Sequence, residues 1–397
     1  MGLGFFSPGS WPNDSTRGMS DQGLLNMSPD DIMMLMRQNM LQLLDAVGKA
    51  NTKKLAVLGH GEPGIWQDWI RITAGTKLRE VLGLQTHSGK TYQEYFGKFD
   101  FRNGRRIDPK LVPAMANAMG YAAWAIMGYE VFKEIRKEHD LPHLKFQVGI
   151  PHPFDMAQLT GLYIGGDAFI KATAIEMQTI LRAIPAQDLV FSIELPVSQV
   201  FVAAASMLGL GSVMGSYAAN VIGRLLDQIP EQYRRFIQLN LHPCWGDLGH
   251  KSVMEAMLLP LHLPSPLKRW LCRKLQGVKN VTRLVRPILK KHGGCNKGGH
   301  VWIVQLPLAV GSQQAPTATQ AYLPLRALQG FGATFSAGLT HENASSEDVL
   351  RALFAAVHAA GKFFFGFVGP RCGLGRCSEA QATAEVEQAV LIGKTIG

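Results

Sequence analysis

The sequence predicts an α/β chain folded as a (β/α)8 TIM barrel with insertions. Strand-like and helix-like segments alternate along all 397 residues. The strand-like segments are continuous apolar runs, the mark of a parallel sheet covered on its faces. A third observation favours a barrel over a doubly wound sheet. Glu62, His152, Glu194, His242, Cys244, His341 and Cys372 fall at or just past strand C-termini, and those ends form the working face of a barrel.

The elements follow in order. Lys53–Leu58 reads as a short buried strand ended by Gly59-His60-Gly61-Glu62-Pro63. Pro109–His139 reads as one or two long helices. Leu144–Ile150 is a strand closed by Pro151-His152-Pro153, and Asp167–Ala183 has helical period. Leu189–Leu195 is a strand broken by Pro196, and Tyr217–Leu226 is helical. Phe236–Leu241 is a strand ending at His242-Pro243-Cys244. Val301–Leu306 is the next strand, then Thr334–Leu339, a helix over Ser345–Ala360, a last strand Phe363–Val368, and a closing helix Glu379–Lys394. The expected organisation is one barrel over residues 1–397, carrying a basic insertion at 261–299 with a helical part and a Gly-rich end.

A chain with 47% hydrophobic and 18% charged residues is neither disordered nor fibrous. Five cysteines are too few and too odd in number for a disulfide scaffold, so a reducing compartment is expected. The formal charge of +10 is concentrated: no acidic residue lies between Glu255 and Glu342, where Lys268, Arg269, Arg273, Lys274, Lys279, Arg283, Arg286, Lys290, Lys291 and Lys297 fall. That stretch reads as a solvated amphipathic flap, or as an anion clamp for a substrate tail. Trp270 is the only aromatic among these basic residues, which argues against nucleic acid as a partner. Ser88-Gly89-Lys90-Thr91 is not a phosphate loop, because Leu84 stands where that motif needs glycine. No run approaches the ~18–20 apolar residues of a membrane span, and the start has no basic region and meets Pro8 early. A soluble cytoplasmic protein with no membrane partner is expected.

The chemistry begins with His242-Pro243-Cys244. In an extended segment side chains alternate, so His242 and Cys244 share one side. Imidazole and thiolate together suit zinc. Cys372, also just past a strand, is the candidate third ligand; Cys272, Cys295 and Cys377 are alternatives. The structural reading of the same residues is a buried cysteine and a histidine satisfied by backbone.

Several segments together resemble the C-terminal catalytic domain of cobalamin-independent methionine synthase and its zinc-dependent thiol alkyltransferase relatives. They are Gly9-Ser10-Trp11-Pro12, Leu55–Pro63, Tyr92–Gly97, Val190–Pro196, Leu241–Cys244, Gly338–His341 and Pro370–Leu374, in the family's order and across nearly the whole chain. The resemblance implies a barrel-mouth zinc held by His242, Cys244 and Cys372. It implies a small-molecule thiol acceptor such as homocysteine and a methyl or alkyl donor as partners. Glu94 and Glu194 match carboxylates that bind the acceptor's amino group, Ser10 matches a further acceptor contact, and His341 matches a proton donor to the departing group. A zinc-bound thiol is deprotonated and becomes the nucleophile.

The sequence departs from the pattern in four places. Gln305 stands where the family places a further zinc-ligating glutamate. Glu194 is one methylene longer than the family's aspartate. Glu62 and Glu94 are separated by an insertion, and no counterpart of the N-terminal barrel is present to suggest the donor. A small thiol sulfonate is the alternative acceptor. A tetrapyrrole decarboxylase and a non-catalytic relative of the same barrel are the other classes.

Overall fold

The computed structural model describes residues 3–6, 11–12, 23, 26–59, 72–86, 107–161, 166–245, 264–293, 301–310, 313–361, 364–374 and 377–396. Eight parallel strands pair in one curled sheet: β1 (Gly4–Phe5), β2 (Val57–Leu58), β3 (Lys145–Pro151), β4 (Leu189–Glu194), β5 (Gln238–His242), β6 (Val301–Pro307), β7 (Thr334–Thr340) and β8 (Phe365–Pro370). Their order is β1-β8-β7-β6-β5-β4-β3-β2. The two ends meet through a parallel bridge between Phe5 and Leu55, and the Ala56 N–H donates to the Phe5 carbonyl at 3.0 Å. The architecture is therefore the expected α/β barrel.

Longer helices surround it: α1 (Pro29–Val47), α2 (Val112–Met119), α3 (Tyr121–Glu138), α4 (Pro153–Leu159), α5 (Gly166–Ala183), α6 (Pro196–Met207), α7 (Gly211–Leu226), α8 (Ser265–Leu275), α9 (Val278–His292), α10 (Ser346–Ala360) and α11 (Glu379–Ile396). Local chemistry sets several ends. Ser28 caps α1 by accepting from the Asp31 N–H at 3.2 Å while Asp31 accepts from the Ser28 N–H. Gly120, at φ +69°, divides the long helical segment into α2 and α3. The segment expected as a strand from Lys53 is extended only at Val57–Leu58. Residues 49–54 instead wind into a 3-10 turn in which the Leu55 N–H donates to the Thr52 carbonyl, leaving Lys53 and Lys54 exposed. No helix among the described residues is long and apolar enough to cross a membrane.

Side-chain alternation gives the sheet two apolar faces. Outward residues such as Phe146, Phe191, Leu239 and Val304 join the helices in the main core. Inward residues Phe6, Val57, Val190 and Ile303 form a separate small cluster inside the barrel. Moving toward the C-terminal ends, the inner face becomes polar: Ser192 and Asn240 are register partners, and above them Glu194 and His242 are partners too.

Within the basic stretch 261–299, α8 and α9 are described. Val281, Leu284, Val285, Ile288 and Leu289 of α9 are fully buried, at the spacing of one helical face. Burying each such side chain stabilises by about 1.5–3 kcal/mol. Thus α9 packs against α7 and occupies the helix position between β5 and β6. Arg286, Lys290 and Lys291 face solvent. Trp302 of β6 donates from Nε1 to the His292 carbonyl at 2.9 Å, tying the helix end to the sheet. The two helices touch at Gly215, where a Cβ would lie 2.1 Å from the Arg283 carbonyl oxygen.

That contact predicts the effect of Gly215→Ala. The methyl meets backbone rather than a flexible side chain, so α7 and α9 must separate. Urea denaturation should show a loss of about 1–3 kcal/mol; a gain, as expected from helix propensity alone, would contradict the close approach.

Candidate metal centre

Two strand ends deliver the three expected donor residues to one place. His242 ends β5, Cys244 follows it after Pro243, and Cys372 follows β8. Their ligand atoms all lie within 4.8 Å of one another. Cys372 Sγ is 3.6 Å from His242 Nε2. His242 is 1% exposed and Cys244 3%, while Cys372 is half-buried, so the donors converge at the edge of the buried interior. Cys272 is instead packed in the core with α8, and Cys377 lies 3.6 Å from the Glu385 carboxylate. Cys295, Glu62, Glu94 and Ser10 lie outside the described residues.

Glu194, at the end of β4, joins the group: its Oε2 is 3.6 Å from His242 Nε2. It is not a loose carboxylate. Ser192 Oγ donates to Glu194 Oε1 at 3.1 Å, and Asn240 Nδ2 donates to Ser192 Oγ at 2.9 Å. On its other nitrogen, His242 Nδ1 is 2.6 Å from Gln305 Oε1, while Gln305 Nε2 donates to the Pro370 carbonyl at 2.7 Å. Burial works against a charged His242, but the neighbouring Glu194 carboxylate, Cys372 and Gln305 outweigh it and raise the imidazole to about 9.

His341 follows β7 and is 1% exposed. Its Nδ1 accepts the Asn343 backbone N–H at 3.1 Å. A neutral ring with Nδ1 accepting carries its proton on Nε2. The neighbouring strand ends alternate in direction. Thr340 and Arg371 both reach Glu385 on α11, at 3.4 Å each, whereas Cys372, the residue after Arg371, faces His242. Arg371 also pairs with Glu342 at 2.6 Å and donates to the Thr340 carbonyl at 3.2 Å. This guanidinium already sits on the carboxylates of the Glu342–Cys377–Glu385 group, which is therefore an ion-paired clamp. Burial alone would raise the Glu342 carboxyl, but Arg371 overrides it and holds it at about 2.

His152 belongs elsewhere. Its Nδ1 is 3.3 Å from Asp155 Oδ1 and 3.0 Å from Ser198 Oγ. Asp155 accepts the Val197 N–H at 2.7 Å and the Ser198 N–H at 3.0 Å. The three residues seat the first turn of α6 on the β3–α4 turn. Ser192, Asn240 and the Arg371 clamp were not singled out from the sequence. A signal existed for the first two: Ser192/Glu194 and Asn240/His242 are polar pairs at period 2 inside otherwise apolar strands. Beside the end of β6, a cleft of about 740 Å³ is lined by Gln276, Lys279, Pro307, Leu308, Gln313 and Gln320.

The donor set itself tests whether a metal suits the site. Two thiols and one imidazole are the ligand types zinc prefers, and three protein ligands leave a fourth position for a substrate. His242, Cys244 and Cys372 fit that requirement.

No protein-family model matches the chain, and no curated protein matches it by sequence. Solved structures do. A B12-independent methionine synthase from Shewanella sp. W3-18-1, in complex with selenomethionine, aligns over 100% of this chain and 98% of that one, with TM-score 0.52 and 12% identity. A putative vitamin-B12 independent methionine synthase from Listeria monocytogenes aligns over 70% of this chain and 69% of that one, with TM-score 0.36 and 12% identity. The first likeness establishes a shared barrel architecture; the second is too distant to add to it.

The clamp predicts an acid limb in stability. Glu342 is depressed in the folded chain from an ordinary value of 4.5 to about 2. Its contribution is therefore present above pH ~4.5 and is lost as pH falls toward 2. Denaturation midpoints of wild type should drop through this window, and Glu342→Gln should flatten the drop. An unchanged slope would show that Glu342 is not paired in the fold.

Proposed function

We propose that this chain is a zinc-dependent transferase that moves a methyl or related alkyl group onto a small-molecule thiol, with homocysteine the first acceptor to test. The convergence of His242, Cys244 and Cys372 at the C-terminal mouth carries the reading. The barrel shared with a methionine synthase supports it.

Zinc held by these three residues would supply a cation that deprotonates an acceptor thiol at neutral pH. The remaining work falls to the chain. Glu194, fixed by Ser192, accepts hydrogen bonds from the acceptor's ammonium group. His341, with its proton on Nε2, donates it to the group that departs when the carbon–sulfur bond forms and the donor's bond to carbon breaks. Burial of His242, Glu194 and His341 keeps water from competing as nucleophile. Ser10 and Glu94 remain proposed acceptor contacts, and a soluble cytoplasmic setting is the proposed location.

Three outcomes test this. Elemental analysis should find about one zinc per wild-type chain, lost in both Cys244→Ser and Cys372→Ser; a folded wild type that takes up no zinc after reconstitution would sink the proposal. Zinc uptake should release protons, because His242 holds its proton up to about pH 9 in the metal-free chain. Calorimetry in buffers of different ionisation enthalpy reads this, and affinity should fall as pH is lowered. Finally, His341→Gln should lower turnover by ~100-fold or more with zinc content unchanged. Equal turnover would assign the proton to another donor.

A further inference from the structure

The buried amide of Gln305 makes two contacts that define each other. Its Nε2 is a donor only, and it points at the Pro370 carbonyl, an acceptor only, at 2.7 Å. The other end of the amide must then be the carbonyl oxygen, and it faces His242 Nδ1 at 2.6 Å. An oxygen acceptor there requires Nδ1 to carry a hydrogen. When the ring takes a metal, Nε2 is therefore the nitrogen that gives up its hydrogen and offers the lone pair, and it is the one facing Cys372 Sγ at 3.6 Å. Gln305 is 0% exposed, so no water competes for either contact. The same side chain therefore links the end of β5 to the end of β8, reaching past β7, and Pro370 is two residues before Cys372.

From this geometry we propose that Gln305 is a positioning residue for the metal centre. It selects the His242 tautomer whose Nε2 is free to ligate, and it holds the strand ends bearing His242 and Cys372 in register. The inference rests on the proposed metal-binding reading of His242, Cys244 and Cys372. It assigns Gln305 a place behind the ligand rather than on the metal. A glutamate at the same position would present a carboxylate to the Pro370 carbonyl, acceptor against acceptor; the amide is what satisfies both neighbours.

A partner that orients a ligating histidine changes metal affinity by ~10- to 100-fold when removed. The test uses the whole chain with histidine labelled by nitrogen-15 and loaded with cadmium-113. His242 is identified by the signals lost in His242→Gln. In wild type, cadmium should couple to Nε2, and Nδ1 should keep a slowly exchanging proton. In Gln305→Met, similar in shape but without the acceptor, that proton should exchange freely. Zinc affinity by chelator competition should fall ~10- to 100-fold, with far-UV circular dichroism unchanged. Gln305→Glu retains an acceptor and should restore the protected Nδ1 proton. If Gln305→Met does not fold, Gln305→Asn, whose amide is one methylene short, carries the same readouts. Wild-type affinity together with a still-protected Nδ1 proton in the Met or Asn variant overturns this inference alone. A wild type that binds neither zinc nor cadmium overturns it together with the metal reading.

Discussion

A chain of buried polar contacts runs across the inside of the barrel mouth, and the candidate site depends on it. Asn240 donates to Ser192, Ser192 to Glu194. Glu194 faces His242, His242 contacts Gln305, and Gln305 donates to the Pro370 carbonyl. The members sit on β4, β5 and β6 and at the end of β8. In a dry interior each link is strong, and each unmade link leaves a costly orphan. The relay therefore fixes strand register as well as side-chain direction. A one-residue slip of β5 would turn His242 to the helix layer and break the relay on both sides.

The outer face of the same mouth is set by charge rather than by neutral hydrogen bonds. Arg371 lies between Glu342 and Glu385, both shielded from solvent, with Thr340 and Cys377 completing the group. Two carboxylates around one guanidinium are balanced only while Arg371 points outward. Its successor Cys372 is thereby directed inward toward His242. The relay inside and the clamp outside act on adjacent residues of one strand end. Together they explain how a loop after β8 holds a thiol at a defined distance from an imidazole on β5.

The basicity of the chain has a different meaning. Most of the charge in the stretch lacking acidic residues belongs to α8 and α9. On α9 the exposed positions Arg286, Lys290 and Lys291 are the polar face of a helix whose other face is fully buried against α7. Surface charges of this kind contribute little to stability, whereas the apolar face anchors the helix. Lys279 alone among these α9 cations lines the cleft beside β6.

Much of the architecture was legible in the sequence. Apolar runs ended by Pro or Gly located β3 to β6 and β8, and a mainly apolar run ended by His341 located β7, because a strand buried on both faces needs mostly apolar side chains. The period-2 spacing in His242-Pro243-Cys244 placed two donors on one side for the same reason. The short β2 was harder to read: Lys53 and Lys54 belong to a 3-10 turn that only the bridge from Phe5 to Leu55 explains. The sequence by itself determined which residues are apolar enough to form the barrel and which polar residues fall at strand ends. Tertiary structure alone decided which of those ends meet. Cys372 rather than Cys377 faces His242, His152 turns outward to Asp155, and Gln305 reaches across to Pro370. Each of these is settled by strand order around a closed ring and by the sign of the side-chain alternation at that ring, and neither is written in local sequence.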